Sequence, residues 1–302
     1  NNTTGTLFTA TEKNVHNTTD TTVYYYAGNT TNNWVKFAGY YWRIIRTNAD
    51  GSIRMLYSGT SHDTTSGYIN STTYAFNTSY NSPKYVGYMY GENDDTLANA
   101  RTNTNNSTIK TAIDNWYASN MTSYTKYLST TAVYCNDRTE QTAGTYNTGR
   151  TEFNYAPYAR VWSTYNPTYD CTKASDAFSG SNTSAKLTYP IALMTADEIM
   201  RAGGKGGTSL TSPYAWYYLN SANGSITGST DWWLLSPHYW DSSDTFVFVV
   251  YDSSNFGYLN YNSVVTTNGV RPAVSLKSCT LYSTGDGTSE TPYEIVETSS
   301  GC

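Results

Sequence analysis

Apolar and polar positions alternate with a period of two over many short stretches of the chain, which predicts a protein built mainly of antiparallel strands. Residues 23–26, 34–37, 41–47 and 52–58 read as four strands of a meander. Asn48-Ala49-Asp50-Gly51 is the clearest turn among them, because glycine supplies the positive φ that a tight hairpin needs. Trp42, Ile44 and Arg46 oppose Tyr41, Arg43 and Ile45, so rings and arginines share a sheet and stacking of guanidinium on Tyr or Trp is expected. Further along, Phe246, Phe248 and Val250 alternate with Val247, Val249 and Tyr251. Short polar residues at 252–255 then predict a turn, residues 256–260 a returning strand, and 270–276 a third strand entered through Asn268-Gly269. Pro272 has no amide donor and is expected at an edge or a bulge.

Two segments carry the helical period instead. Ile109, Ala112, Ile113, Trp116 and Tyr117 predict an amphipathic helix over 107–119. Thr195 and Glu198 have the spacing of a capping box, and Gly203-Gly204 supplies the stop, which predicts a second helix between them. The whole is an α+β chain, mostly antiparallel, with long irregular loops. Residues 1–22 are Thr/Asn-rich and read as an N-terminal strap or a loose strand, 23–278 as one domain with long insertions, and 279–302 as a small hairpin around Gly285-Asp286-Gly287.

Composition narrows the function. Only 14% of residues are charged while 16% are aromatic, the reverse of a disordered chain. The net charge is -5, and Arg271 is the sole basic residue between 231 and 276, so a nucleic-acid partner is not expected. No apolar run is long enough to span a membrane. The chain opens at Asn1 with neither an initiator Met nor a leader, as expected of a mature or trimmed ectodomain. Four cysteines allow three pairings. Cys135 with Cys171 and Cys279 with Cys302 is the expected one, since each closes a polar excursion with few apolar residues to hold it. Such bridges stabilise by roughly 3 to 4 kcal/mol in the chain-entropy model and suit an oxidising, extracellular setting.

The richest candidate chemistry lies between Asp231 and Asn262, where ten aromatic residues alternate with Ser, Asp and Asn. One thin layer cannot bury them all, so several are expected to face outward as a binding surface, with large rings as anchors and short polar groups as adaptable contacts. The ligand-binding set is His238, Tyr239, Trp240, Asp241, Ser242, Ser243, Asp244, Tyr251, Ser253, Ser254, Asn255, Phe256, Tyr258 and Tyr261, on a frame of Trp232, Trp233, Val249, Val270 and Leu276. The alternative is an ordinary aromatic face of a twisted sheet. Ser236, His238, Asp241 and Asp244 are the one place where nucleophile, base and carboxylate types crowd together. Neighbouring turn positions do not supply an ordered relay and no nucleophile elbow is present, so no enzyme is expected.

Other motifs have plainer explanations. Asp197 and Glu198 suit a helix N-terminus. Residues 203–207, GGKGG, lack the Lys-Ser/Thr ending of a phosphate loop and read as a flexible connector. Glu92-Asn93-Asp94-Asp95 reads as a solvated turn, and no Cys or His spacing fits zinc, so neither metal nor cofactor is expected. Asn-x-Ser/Thr sequons stand at Asn17, Asn29, Asn70, Asn77, Asn106, Asn120, Asn182 and Asn223.

DWWLLSP at 231–237 and NGVRPAVSL at 268–276 are specific enough to compare, as are segments 23–59, 107–120, 132–138 and 189–204. Together they resemble a family of bacterial surface proteins from gut communities. The resemblance implies a C-type-lectin-like fold, the one shared with formylglycine-generating enzymes, and a similarity to variable proteins of diversity-generating retroelements. In such systems Asn codons on a fixed scaffold become Tyr, Ser, Asp, His or Phe codons, which the run from His238 to Tyr258 matches in composition. A formylglycine-generating activity would need reactive cysteines in the site, and the Glu-Pro-Asn signature of calcium lectins is absent. The resemblance therefore implies a cell-surface, adhesin-type protein that binds a protein or glycan ligand. The alternative is a structural subunit of a surface filament or layer, a homopolymer that displays the same face.

Overall fold

The computed structural model describes residues 7–62, 67–70, 72–146, 149, 151–218, 230–252 and 255–302. Its frame is a mixed nine-stranded sheet. Trp34–Phe37, Tyr40–Thr47 and Ile53–Tyr57 form the expected meander, with Gly51 at φ +80° closing the second turn. Pro272–Leu276 adds beside Ile53–Tyr57, and Ile191–Leu193 adds beside Pro272–Leu276. This corrects the expectation of a three-stranded terminal ribbon: the third strand leaves the ribbon for the main sheet. Pro272 is not on an edge either. It is the first residue of an inner strand, opposite Leu193, where no ladder amide is required of it.

Both chain ends are more deeply engaged than the sequence suggests. Leu7–Asn14 pairs with Asn17–Tyr26 as a hairpin with an irregularity between Glu12 and Asn14, a paired strand in place of the expected strap or loose strand, and Tyr25 pairs with Arg46 to join it to the main sheet; residues 1–6 of that segment lie outside the described residues. The many β-branched threonines favour that extended form. At the other end, Tyr282–Thr284 and Tyr293–Ile295 form the expected hairpin, but Tyr293 and Glu294 run parallel to Val35 and Lys36, so the hairpin continues the sheet.

A second, four-stranded sheet carries Phe153–Asn154, Trp232–Trp240, Thr245–Val250 and Leu259–Ser263 in that order. The returning strand thus begins at Leu259, later than expected, because Phe256 and Gly257 are still in the turn. The two sheets are sewn together where Trp233 N donates to Gly269 O and Leu235 N donates to Met194 O. The indoles of Trp232, Trp233 and Trp240 are all without solvent exposure, Trp232 against Arg271 and Trp233 against Phe76. Helix Thr108–Asn120, capped by Ser107, buries Ile109, Ile113, Trp116 and Tyr117 as its period requires. Helix Ala196–Ala202 has both halves of the capping box and ends at Gly203 in the left-handed region. The disulfides are Cys135–Cys171 and Cys279–Cys302, as expected.

Candidate functional site

The strand Trp232–Trp240 does not keep register with its neighbour. Pro237 lies opposite Val247, yet Tyr239 lies opposite Phe246, so one residue, His238, is extra. A bulge of this kind turns consecutive side chains toward one face. His238 and Tyr239 therefore stand together, ring centroids 4.9 Å apart, and both meet Tyr261: His238 stacks on it at 4.0 Å and Tyr239 meets it edge-on at 5.3 Å. Phe246 completes the group by stacking on Tyr239 at 4.3 Å.

Facing these rings is the segment Ala156–Ala159 followed by a π-type turn, Arg160–Thr164, which brings Tyr158 and Trp162 over His238. Trp162 Nε1 donates to His238 Nε2 at 3.0 Å, so the neutral imidazole keeps its proton on Nδ1. Burial lowers the His238 pKa well below its ordinary value, and the ring stays uncharged. Two devices hold Trp162 in place. Arg160 is clamped by Asp197, through Oδ1 at 2.6 Å and Oδ2 at 3.0 Å, and by Asp137 at 2.9 Å. Beneath the indole runs the Gly206-Gly207 backbone; a Cβ on Gly206 would come within 2.9 Å of the Trp162 ring. Gly207 N also donates to Leu259 O. The GGKGG segment is thus a fitted support for Trp162, which corrects its reading as a flexible connector.

The result is a surface cavity of about 340 Å³ lined by Asn154, Tyr158, Trp162, His238, Tyr239 and Tyr261. None of these side chains carries a charge. Burial, with the neighbouring Tyr261 adding to it, raises the Tyr239 pKa, so its phenol keeps its proton and remains a donor. Trp162, Tyr158 and Asn154 were absent from the sequence-based set. They lie far away in the chain, and only the Phe153–Trp240 and Asn154–Tyr239 pairing brings them here.

The expected single patch is divided. His238 and Trp240 are buried, at 1% and 0% exposure: His238 reaches only the back of the cavity and orients the rings around it, and Trp240 fills the core. Tyr239 and Tyr261 line the cavity. Strand alternation sends Tyr251 to the other face with Tyr258, ring centroids 5.1 Å apart, beside Asn260 and Asn262. Phe256, 44% exposed, sits in the intervening turn against Tyr214 and Tyr218, with Asn255 beside it in sequence. Asp241 Oδ1 accepts from Ser243 N, Ser243 Oγ and Asp244 N, folding 241–244 into a tight turn whose Ser242 and Ser243 are exposed. Asp244 is held by Ser263. Ser253 and Ser254 lie outside the described residues. Ser236 accepts from Ala196 N, and no hydrogen bond links it to His238 or Asp241.

Sequence reasoning also undervalued a buried ionic cluster. Asp197 and Glu198 do more than satisfy a helix dipole. Glu198 Oε1 receives Arg46 Nε at 2.9 Å and Arg54 Nη1 at 2.7 Å, and Glu12 Oε2 receives Arg46 Nη1 at 2.6 Å. Burial alone would raise the Glu198 carboxyl, but Arg54 and Arg46 outweigh it and hold it below the ordinary range. A bulge between Ile44 and Arg46 aligns Arg46 with Arg54 so that one carboxylate serves both. Arg43 stacks over Trp34 and Arg46 over Tyr169, in keeping with the expected arginine–ring contacts. Asp252, buried beside Trp232, is pushed up to about 8 by burial despite Arg271 and the Trp232 Nε1 bond pulling it down. Among the sequons, Asn77 and Asn182 are buried and closed to a glycan. Among the described residues no group of three or more His, Cys, Asp or Glu side chains is placed to hold a metal ion.

Residues 115–278, just over half of the chain, match the model of a family described as a domain of unknown function. No curated protein and no solved structure matches.

Proposed function

The chain belongs to that family, DUF6273, and on this premise we propose that it is an extracellular, surface-displayed ligand-binding protein without catalytic activity. Its binding site is the aromatic cavity under Trp162, extended by the 241–244 turn. The observation that carries this reading is the uncharged cavity of about 340 Å³ walled by Tyr158, Trp162, Tyr239 and Tyr261, rings already fixed by packing before any ligand arrives. Anchors held in this way lose little entropy on binding, and exposed Ser242 and Ser243 provide adaptable contacts at the rim. The ligand is a protein or glycan group that presents apolar faces and hydrogen-bonding edges.

Support for the setting comes from the two disulfides, which suit an oxidising compartment. A C-type-lectin-like scaffold is consistent with the strand-rich α+β architecture and with the way the WWLLSP and GVRPAVSL segments lie side by side through Trp233 N and Gly269 O. On such a scaffold diversification would change the rim and spare the frame. Sequencing the locus in several isolates tests this. Substitutions are expected to concentrate at Tyr239, Asp241, Ser242, Ser243, Phe256, Tyr258 and Tyr261, while Trp232, Trp233, His238 and Trp240 stay fixed. Substitutions spread evenly over exposed positions along the chain would overturn the diversified-face reading.

One observation favours a second reading, a subunit of a surface filament. The main sheet ends on Tyr282–Thr284, with Leu281 69% and Tyr282 59% exposed, and the N-terminal hairpin exposes Phe8 and Tyr24. Open strands with apolar side chains are templates for pairing with a second copy. Sedimentation of the purified chain over a hundredfold concentration range decides: a monomer throughout removes this reading and leaves the cavity untouched.

A further inference from the structure

A second cavity, of about 400 Å³, shares no lining residue with the aromatic one. Its size falls within the roughly 300–1,000 Å³ common for small-molecule sites. One wall is a stripe of the helix Thr108–Asn120: Thr108, Thr111, Ala112 and Asn115 recur at the helical period on a side that adjoins the buried face of Ile109, Ile113 and Trp116. Facing it are Tyr74, Asn77, Thr78, Tyr90 and Asn106. The lining consists of phenols, carboxamides, hydroxyls and one methyl group, with no charged side chain.

Behind the lining lies a buried carboxamide. Asn77 is 3% exposed; its Oδ1 accepts from Thr78 N, and its Nδ2 makes no hydrogen bond of good geometry, although it lies near the Tyr90 hydroxyl, whose pKa burial raises above its ordinary value. The exposed carboxamides of Asn106 and Asn115 carry N–H groups that a ligand acceptor can reach. Both phenol rings are fixed beforehand: Asn70 Nδ2 donates to the Tyr74 hydroxyl at 2.8 Å, and Tyr90 packs edge-on against Tyr85 at 5.2 Å.

We infer that this cavity binds a neutral pyranose unit of a glycan. Vicinal hydroxyls donate and accept at once, which amide and hydroxyl side chains can match in either sense. The C–H face of a pyranose carries slight positive charge and suits the negative face of a phenol ring. A charged sugar would be stripped of water with no counter-charge to meet it. This site stands independently of the aromatic cavity, and its occupant is defined by neutrality and ring shape.

The test is saturation-transfer NMR and titration of the whole chain with methyl glucoside, methyl galactoside, N-acetylglucosamine, glucuronate and sorbitol. At least one neutral pyranose is expected to bind saturably, glucuronate more weakly, and sorbitol, which lacks a flat C–H face, not to compete. Thr111→Trp, on the exposed side of the helix, fills the cavity without touching the core and should weaken binding about tenfold or more, as should Tyr74→Ala. Tyr261→Ala, in the aromatic cavity, should leave it unchanged. Three results would each overturn the assignment: no saturable binding of any neutral pyranose up to about 50 mM, binding that survives Thr111→Trp in a variant with native circular dichroism, or a preference for glucuronate.

Discussion

His238 shows how one almost fully buried residue can organise the rings of a site. Its Nε2 is the acceptor for Trp162, so Trp162→Phe leaves a buried nitrogen unpaired and should destabilise the chain by about 1–3 kcal/mol in urea unfolding. The same burial has a pH consequence. The folded ring resists protonation while the unfolded ring accepts a proton below about pH 6.5, so the wild type should lose stability as pH falls from there, by up to about 1.4 kcal/mol per pH unit. His238→Gln should lack that loss, and the difference between the two pH profiles is the measurement. Asp252 acts in the opposite sense. Its folded carboxyl keeps a proton up to about 8, so its contribution is fully present in acid and is lost as pH rises from about 4 towards 8. Asp252→Asn should accordingly gain on the wild type over that interval. Glu198 is held below the ordinary range, and its contribution persists above about pH 4.5 and is lost as pH falls through its folded value. Glu198→Gln confronts Arg46 and Arg54 with a neutral amide and should cost about 3–5 kcal/mol.

At the scale of elements, the two helices were legible in the sequence because their instructions are local. The capping box of Thr195 and Glu198 needs only residues three apart, and it forms as read. Thr195→Ala should cost about 1 kcal/mol by the same unfolding assay. Strand existence was legible for the same reason, since alternation is a nearest-neighbour property. Partnership was not. Residues 270–276 read equally well as a third ribbon strand, and what draws them to the main sheet is the vacancy between Ile53–Tyr57 and Ile191–Leu193, which no local pattern announces. The bulge at His238 is similar: a slip of one residue is invisible in composition, yet it decides which side chains share a face.

For the whole molecule, the two disulfides should differ in what they protect. Cys135–Cys171 ties the strand Tyr134–Cys135 to a segment that itself holds the N-terminal hairpin, Cys171 N donating to Lys13 O, and the paired Cys→Ser variant should lose about 3 kcal/mol of global stability. Cys279–Cys302 closes a hairpin at the end of the sheet. Its removal should leave the unfolding midpoint nearly unchanged while making residues 279–302 the first site of limited proteolysis. A large fall in midpoint for the second variant would show that the C-terminal hairpin is part of the cooperative core.

The sequence by itself determined the α+β character, the helix caps and the concentration of rings after Asp231, because each follows from spacing, propensity or composition along a few neighbouring residues. Tertiary structure alone decided that Trp240 and His238 turn inward, that Tyr239 and Tyr261 part company from Tyr251 and Tyr258, and that Tyr158, Trp162 and a glycine backbone supply the opposite wall. Those outcomes depend on register and on contacts between residues distant in the chain, and a period of two states that faces alternate without saying which face meets water.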